Sequence, residues 1–145
     1  MKKIIFLIVL VVLGYGVVQE RGGISIPGMS TGSPGTDSTI QEAYENRQSN
    51  LQVQGSGVVE KVLPDDLEGS RHQRFILRME SGQTLLVAHN IDLAPRIAGL
   101  KAGDNVEFYG EYEWNSKGGI IHWTHHDPDN RHVGGWLKRN GKTYQ

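Results

Sequence analysis

Two stretches alternate apolar and polar residues with a period of two, and this pattern restricts the chain more than any other feature. In residues 72–80, Gln73, Phe75, Leu77 and Met79 alternate with His72, Arg74, Ile76 and Arg78. In residues 106–114, Val106, Phe108, Gly110, Tyr112 and Trp114 share a face opposite Glu107, Tyr109, Glu111 and Glu113. A helix cannot keep such a pattern on one side, whereas a strand puts successive side chains on opposite faces. Both segments are therefore predicted to be half-buried strands. Gln52–Leu63, bent at Gly55 and Gly57, reads as a long strand before them, and Gln83–His89 follows the turn at Glu80-Ser81-Gly82.

Between His89 and Asp104, Asp92 is placed to cap a short helix, with Pro95 in its first turn and Gly99 at its end. A loop at Asn115–Gly119 leads into a strand at Ile120–Thr124, and Trp136–Gln145 reads as a final hairpin around Asn140-Gly141. The expected fold is thus mostly β. Its order (three strands, a short helix, two strands) is that of an OB-like five-stranded Greek-key barrel with one short helix between strands three and four.

Ahead of this domain (residues 51–145) lie three appendages. Lys2 and Lys3 precede an uncharged apolar run, Ile4–Val18, read as an N-terminal hydrophobic helix. At about 1.5 Å per residue it spans roughly 22 Å, short of a roughly 30 Å bilayer core, which suits a signal-peptide core or a short anchor. With no Ala-x-Ala type of cleavage site, an uncleaved anchor over residues 1–18 is favoured over a cleaved, secreted form. The basic end then stays inside, and the rest faces the periplasm or the cell exterior. Residues 19–37, rich in Gly, Ser, Thr and Pro, read as a flexible linker. Residues 38–50 contain a short helix whose Ser38-Thr-Ile-Gln41 has capping-box spacing, with Ile40, Ala43 and Tyr44 on one face.

With 145 residues there is room for one ordinary domain besides these appendages. The absence of cysteine excludes disulfides, thiolate metal sites and thiol nucleophiles. Fifteen Lys and Arg against 16 Asp and Glu give a net charge of −1, so a general nucleic-acid binder is not expected.

The densest polar cluster is His122-Trp123-Thr124-His125-His126-Asp127, with His132 beyond it. Imidazoles and carboxylates this close suggest a divalent metal such as zinc held by His122, His125, His126 and Asp127. On one extended strand, however, His122 and His126 lie roughly 13 Å apart, so the chain must turn or neighbouring strands must contribute. The competing reading is that these side chains hydrogen-bond strand ends and turns. As a hydrolase, the domain would use Glu111 or Glu113 as base and Arg74 to stabilise a phosphoryl charge. As a binding module, it would use Asp65, Asp66, His72, Arg74, His89 and Trp123 to contact a small molecule, oligosaccharide, nucleic acid or protein. Trp114, Trp123 and Trp136 could serve as stacking platforms, although core or rim packing is their commoner use. No Ser-His-Asp order, phosphate-binding loop or dinucleotide fingerprint occurs.

Several phrases resemble a bacterial family, domain of unknown function 3465. They are Gly69–Leu77, His89–Ile97, Gly110–Asn115, Ile121–Pro128 and Gly135-Trp136. The resemblance implies a short exported protein with an N-terminal hydrophobic segment, and it carries over no catalytic residue.

Overall fold

The computed structural model describes residues 37–145. The apolar segment and nearly all of the linker lie outside them. Among the described residues, no helix is long and apolar enough to cross a membrane.

Each alternating segment forms its strand. β1 runs Leu51–Asp66, β2 His72–Arg78, β3 Thr84–Asn90, β4 Asn105–Glu113, β5 Ile120–His122, β6 Trp136–Arg139 and β7 Lys142–Tyr144. Gln73, Phe75 and Leu77 of β2 are buried, as are Val106, Phe108, Gly110 and Tyr112 of β4, while their alternating neighbours remain at least partly accessible.

The seven strands form one sheet in the order β1-β2-β3-β5-β4-β6-β7, and an added β1–β4 pairing closes five of them into a ring. The ring closes because β1 serves two partners. Residues 51–58 pair with β4 and residues 58–66 with β2, both antiparallel. The change of partner falls beside Gly57, where a Cβ would lie 2.7 Å from the Arg78 carbonyl oxygen. A side chain there would push the two strands apart. β3 and β5 pair in parallel, the only parallel contact in the described sheet. The β6–β7 hairpin turns through Asn140 and Gly141, both at positive φ, as expected of an Asn-Gly turn.

Inside the ring, Val53, Phe75, Leu77, Val87, Phe108, Tyr112 and Ile121 form the core with Leu137 of β6. Helix α1, Asp37–Glu45, buries Ile40 and Ala43 against it. Tyr44, the third residue of that face, stacks on Trp114, and the Trp114 indole N–H donates to the Tyr44 carbonyl at 3.0 Å.

One expected element does not form. Residues 91–104 make successive turns without a helix. The backbone groups a helix would use are taken by side chains from the ring. Gln73 donates to the Ile97 carbonyl at 3.0 Å and accepts from its N–H at 2.9 Å, and the Pro95 carbonyl accepts from His89 at 2.9 Å. Pro95 supplies no N–H of its own. β5 is also shorter than expected, because the chain leaves the sheet after His122.

Candidate ligand-binding cleft

The outward positions of β2, β3, β5 and β4 lie side by side in register. His72 of β2 faces Asn90 of β3, Arg74 faces Ala88, and His122 of β5 faces Glu111 of β4. Ala88 is too small to fill its place. A cleft of about 170 Å³ results, lined by His72, Ala88, Asn90, His122, Trp123 and His125, with Leu93 beside it.

Trp123 and His125 reach the cleft because the chain turns sharply beyond β5. Trp123 adopts a positive φ of 59°, and the Gly135 N–H donates to the His125 carbonyl at 3.0 Å, fastening the two ends of the excursion. A Cβ at position 135 would lie 2.1 Å from the Trp123 oxygen and 2.3 Å from the Tyr109 oxygen, so only glycine fits. Asp127 shapes the tip of the excursion. Its carboxylate accepts from the backbone N–H groups of Asp129, Arg131 and His132 at 2.9, 2.9 and 2.8 Å. Those bonds, the one from Asp129 foremost, hold its carboxyl below the usual range.

Hydrogen-bond partners assign the protonation of the histidines, because a carbonyl or carboxylate can only accept. The Nδ1 atom of His132 meets the Val133 carbonyl at 2.8 Å, and its Nε2 meets Glu111. Both nitrogens must donate, so the ring is an imidazolium. Partial burial works against that charge, but the Val133 carbonyl and the Glu111 carboxylate outweigh it and raise the pKa. The charged ring lies flat on Trp123, with centroids 3.9 Å apart and planes 8° apart. In His89, Nε2 donates to Pro95, and Nδ1 accepts from the Thr124 hydroxyl at 2.7 Å. Burial pushes its pKa down to about 4, so it is neutral.

His72 donates from Nδ1 to the Ser70 carbonyl at 2.9 Å, and His125 from Nδ1 to the His126 carbonyl at 2.7 Å. In its neutral form each ring then keeps Nε2 as an acceptor. The Nε2 atom of His122 has no hydrogen-bond partner, yet it lies 3.4 Å from a Glu113 oxygen and 3.9 Å from a Glu111 oxygen.

The sequence candidates therefore separate. His72, His122, Trp123 and His125 converge on the cleft. His89 is fully buried with both nitrogens engaged, so it braces the core and offers no ligand contact. Asp65 pairs with Arg96, Asp66 accepts from the Glu68 N–H at 3.0 Å, and the Arg74 guanidinium bonds the Pro64 carbonyl at 3.0 and 3.1 Å. Asp65 and Asp66 are thus occupied locally, while Arg74, held by a neutral carbonyl, keeps its charge and is not among the residues that line the cleft. The expected metal set is not assembled either. His126 is exposed, Asp127 is turned to backbone N–H groups, and no group of three His, Asp or Glu among the described residues is placed to hold an ion. Trp123 cannot offer both faces for stacking, since His132 covers one. Sequence reasoning gave no role to Gln73 or to the His132–Glu111 pair. For Gln73 there was a signal, a polar residue on the apolar face of a strand; the His132–Glu111 pair had none, being 21 residues apart.

A family model described as protein of unknown function (DUF3465) matches residues 26–145. The chain belongs to this family. The match spans the whole described ring and every residue that lines the cleft. Comparison with curated proteins gives no match.

Proposed function

We propose that this member of the DUF3465 family is an exported, membrane-tethered binding module, with an OB-like barrel that takes a small or oligomeric ligand on the outer face of β2, β3 and β5. The five-strand ring, with β1 shared between β2 and β4 and β3 parallel to β5, supports the OB-like reading, with turns in place of the helix after β3. The tether rests on the Lys2-Lys3 start, the apolar run to Val18 and the linker that follows. The observation that carries the binding role is the cleft itself. At about 170 Å³ it is smaller than the roughly 300–1,000 Å³ of sites for whole drug-sized molecules, so it fits one unit of a longer ligand or one side group of a partner.

Two measurements test this reading. Fractionation with external protease should recover the full-length chain in the membrane and find residues beyond the linker accessible from outside; recovery from the soluble cytoplasm with an intact N-terminus contradicts the tether. Elemental analysis addresses the metal-hydrolase alternative. Stoichiometric zinc or manganese, lost in both His126→Ala and Asp127→Ala, would replace the binding module with an enzyme. Dialysis against a chelator should leave the melting temperature unchanged.

A further inference from the structure

We infer that the cleft recognises a neutral, hydroxyl-rich ring, one sugar unit of an uncharged oligosaccharide. This inference rests on the binding reading above and names its ligand class. Three observations carry it.

The first is the polarity of the cleft. The Nδ1 atoms of His72 and His125 are held by backbone carbonyls, so in its neutral form each ring is left with Nε2 as an acceptor. Carboxylates of Glu111 and Glu113 stand within 3.9 Å of His122. A partner that fills such a place brings donors, as hydroxyl groups do.

The second is the lack of an available cation. No Lys or Arg lines the cleft. Nearby Arg71 is paired with Asp92 at 2.7 Å, the His132 charge is neutralised by Glu111, and Arg74 keeps its charge but turns it to the Pro64 carbonyl, away from the lining. A phosphate or carboxylate would meet no Lys or Arg in the lining and would have the Glu113 carboxylate beside His122, which disfavours anions.

The third is the mixture of surfaces. Ala88, Leu93 and Trp123 give the cleft apolar lining between its imidazoles. A sugar ring has the matching arrangement, with C–H faces between outward hydroxyls, whereas a purely apolar ligand would leave the imidazoles unpaired.

The test uses the full-length protein in a detergent without a sugar headgroup. Chitotetraose, cellotetraose and maltotetraose are titrated against it, with an oligouronate and a short oligothymidylate as anionic comparators, and binding is read by tryptophan fluorescence and calorimetry. The expected result is saturable binding of at least one neutral glycan at about 1 mM or tighter. His72→Asn keeps a donor at the Nδ1 position and removes the Nε2 acceptor, so it should weaken that binding about tenfold, as should His125→Asn. Arg131→Ala, outside the cleft, should leave it unchanged. Because His125 is buried, melting curves accompany its variant, and the half-buried His72 carries the decision if it misfolds. If only an anionic probe binds, in a manner sensitive to His72→Asn, the ligand class is overturned and the binding module stands. Neutral glycan binding that ignores both cleft variants overturns the site. If no probe binds, the sugar assignment is overturned, while the binding module stands or falls on the fractionation and metal measurements above.

Discussion

His89 and His132 lie on opposite sides of the same sheet and in opposite protonation states. His89 occupies an inward position of β3, one nitrogen against Pro95 and the other against Thr124, with its pKa pushed down to about 4 by burial. His132 sits outside the ring, donating from both nitrogens and lying on Trp123, with its pKa raised. Residue type alone therefore says little about a histidine-rich segment. The acceptors within reach decide whether a ring is a neutral brace or a cationic clasp.

The largest expected effect is at His89. His89→Ala opens a cavity in the core and leaves Thr124 and Pro95 without their partner, so stability should fall by about 3–4 kcal/mol in urea unfolding. A loss under about 1 kcal/mol would mean that water replaces the ring and the brace is dispensable.

Next is the acid limb of the pH profile. The unfolded chain protonates this histidine near 6.5, whereas the folded chain resists until about 4, so protons favour unfolding between those values. Stability should drop as pH falls through that window, by about 3 kcal/mol from this group. The drop from this group should vanish in His89→Gln.

His132 predicts the opposite sign and a smaller effect. A raised pKa means that its contribution is fully present below 6.5 and fades as pH rises through the folded value. At pH below 6.5, His132→Phe should cost about 1–2 kcal/mol, because stacking survives and the charged contact with Glu111 does not. The gap to the wild type should narrow on the alkaline side; a gap independent of pH would show that packing alone holds the ring.

The smallest effect belongs to His126, which is exposed. His126→Ala should change stability by less than about 0.5 kcal/mol.

The two histidines also mark how far the fold and the site can be read from residues alone. Alternation in 72–80 and 106–114 predicted β2 and β4 together with their buried faces, because a sheet with one covered side imposes period two directly on the chain. Asn140-Gly141 announced its hairpin through the positive φ both residues adopt. At 91–104 the spacing points to a helix, and the chain makes turns instead. Asp92, Pro95 and Gly99 have helical spacing, but Gln73 and His89, distant in sequence or outside the segment, take the backbone groups first. The same limit applies to the site. The clustering of His122, Trp123 and His125 is legible, but nothing local separates His122, His125 and His126, which the ring sorts into a cleft wall, a buried donor and an exposed side chain. That sorting depends on where β5 stops and on Gly135 fitting between two carbonyls, which no local pattern records.

His89 inside the ring and His132 outside it hold opposed protonation states, one bracing the core and the other clasping Trp123 beside the proposed binding cleft. Long-range proton–nitrogen correlation spectra of the histidine side chains at pH 5.5, below 6.5 and above the His89 value of about 4, test this contrast most directly. The account predicts two protonated nitrogens in His132, and in His89 a neutral ring with its proton on Nε2. Neither should respond to added zinc. A neutral His132, a cationic His89, or zinc-induced shifts shared by His122, His125 and His126 would contradict it.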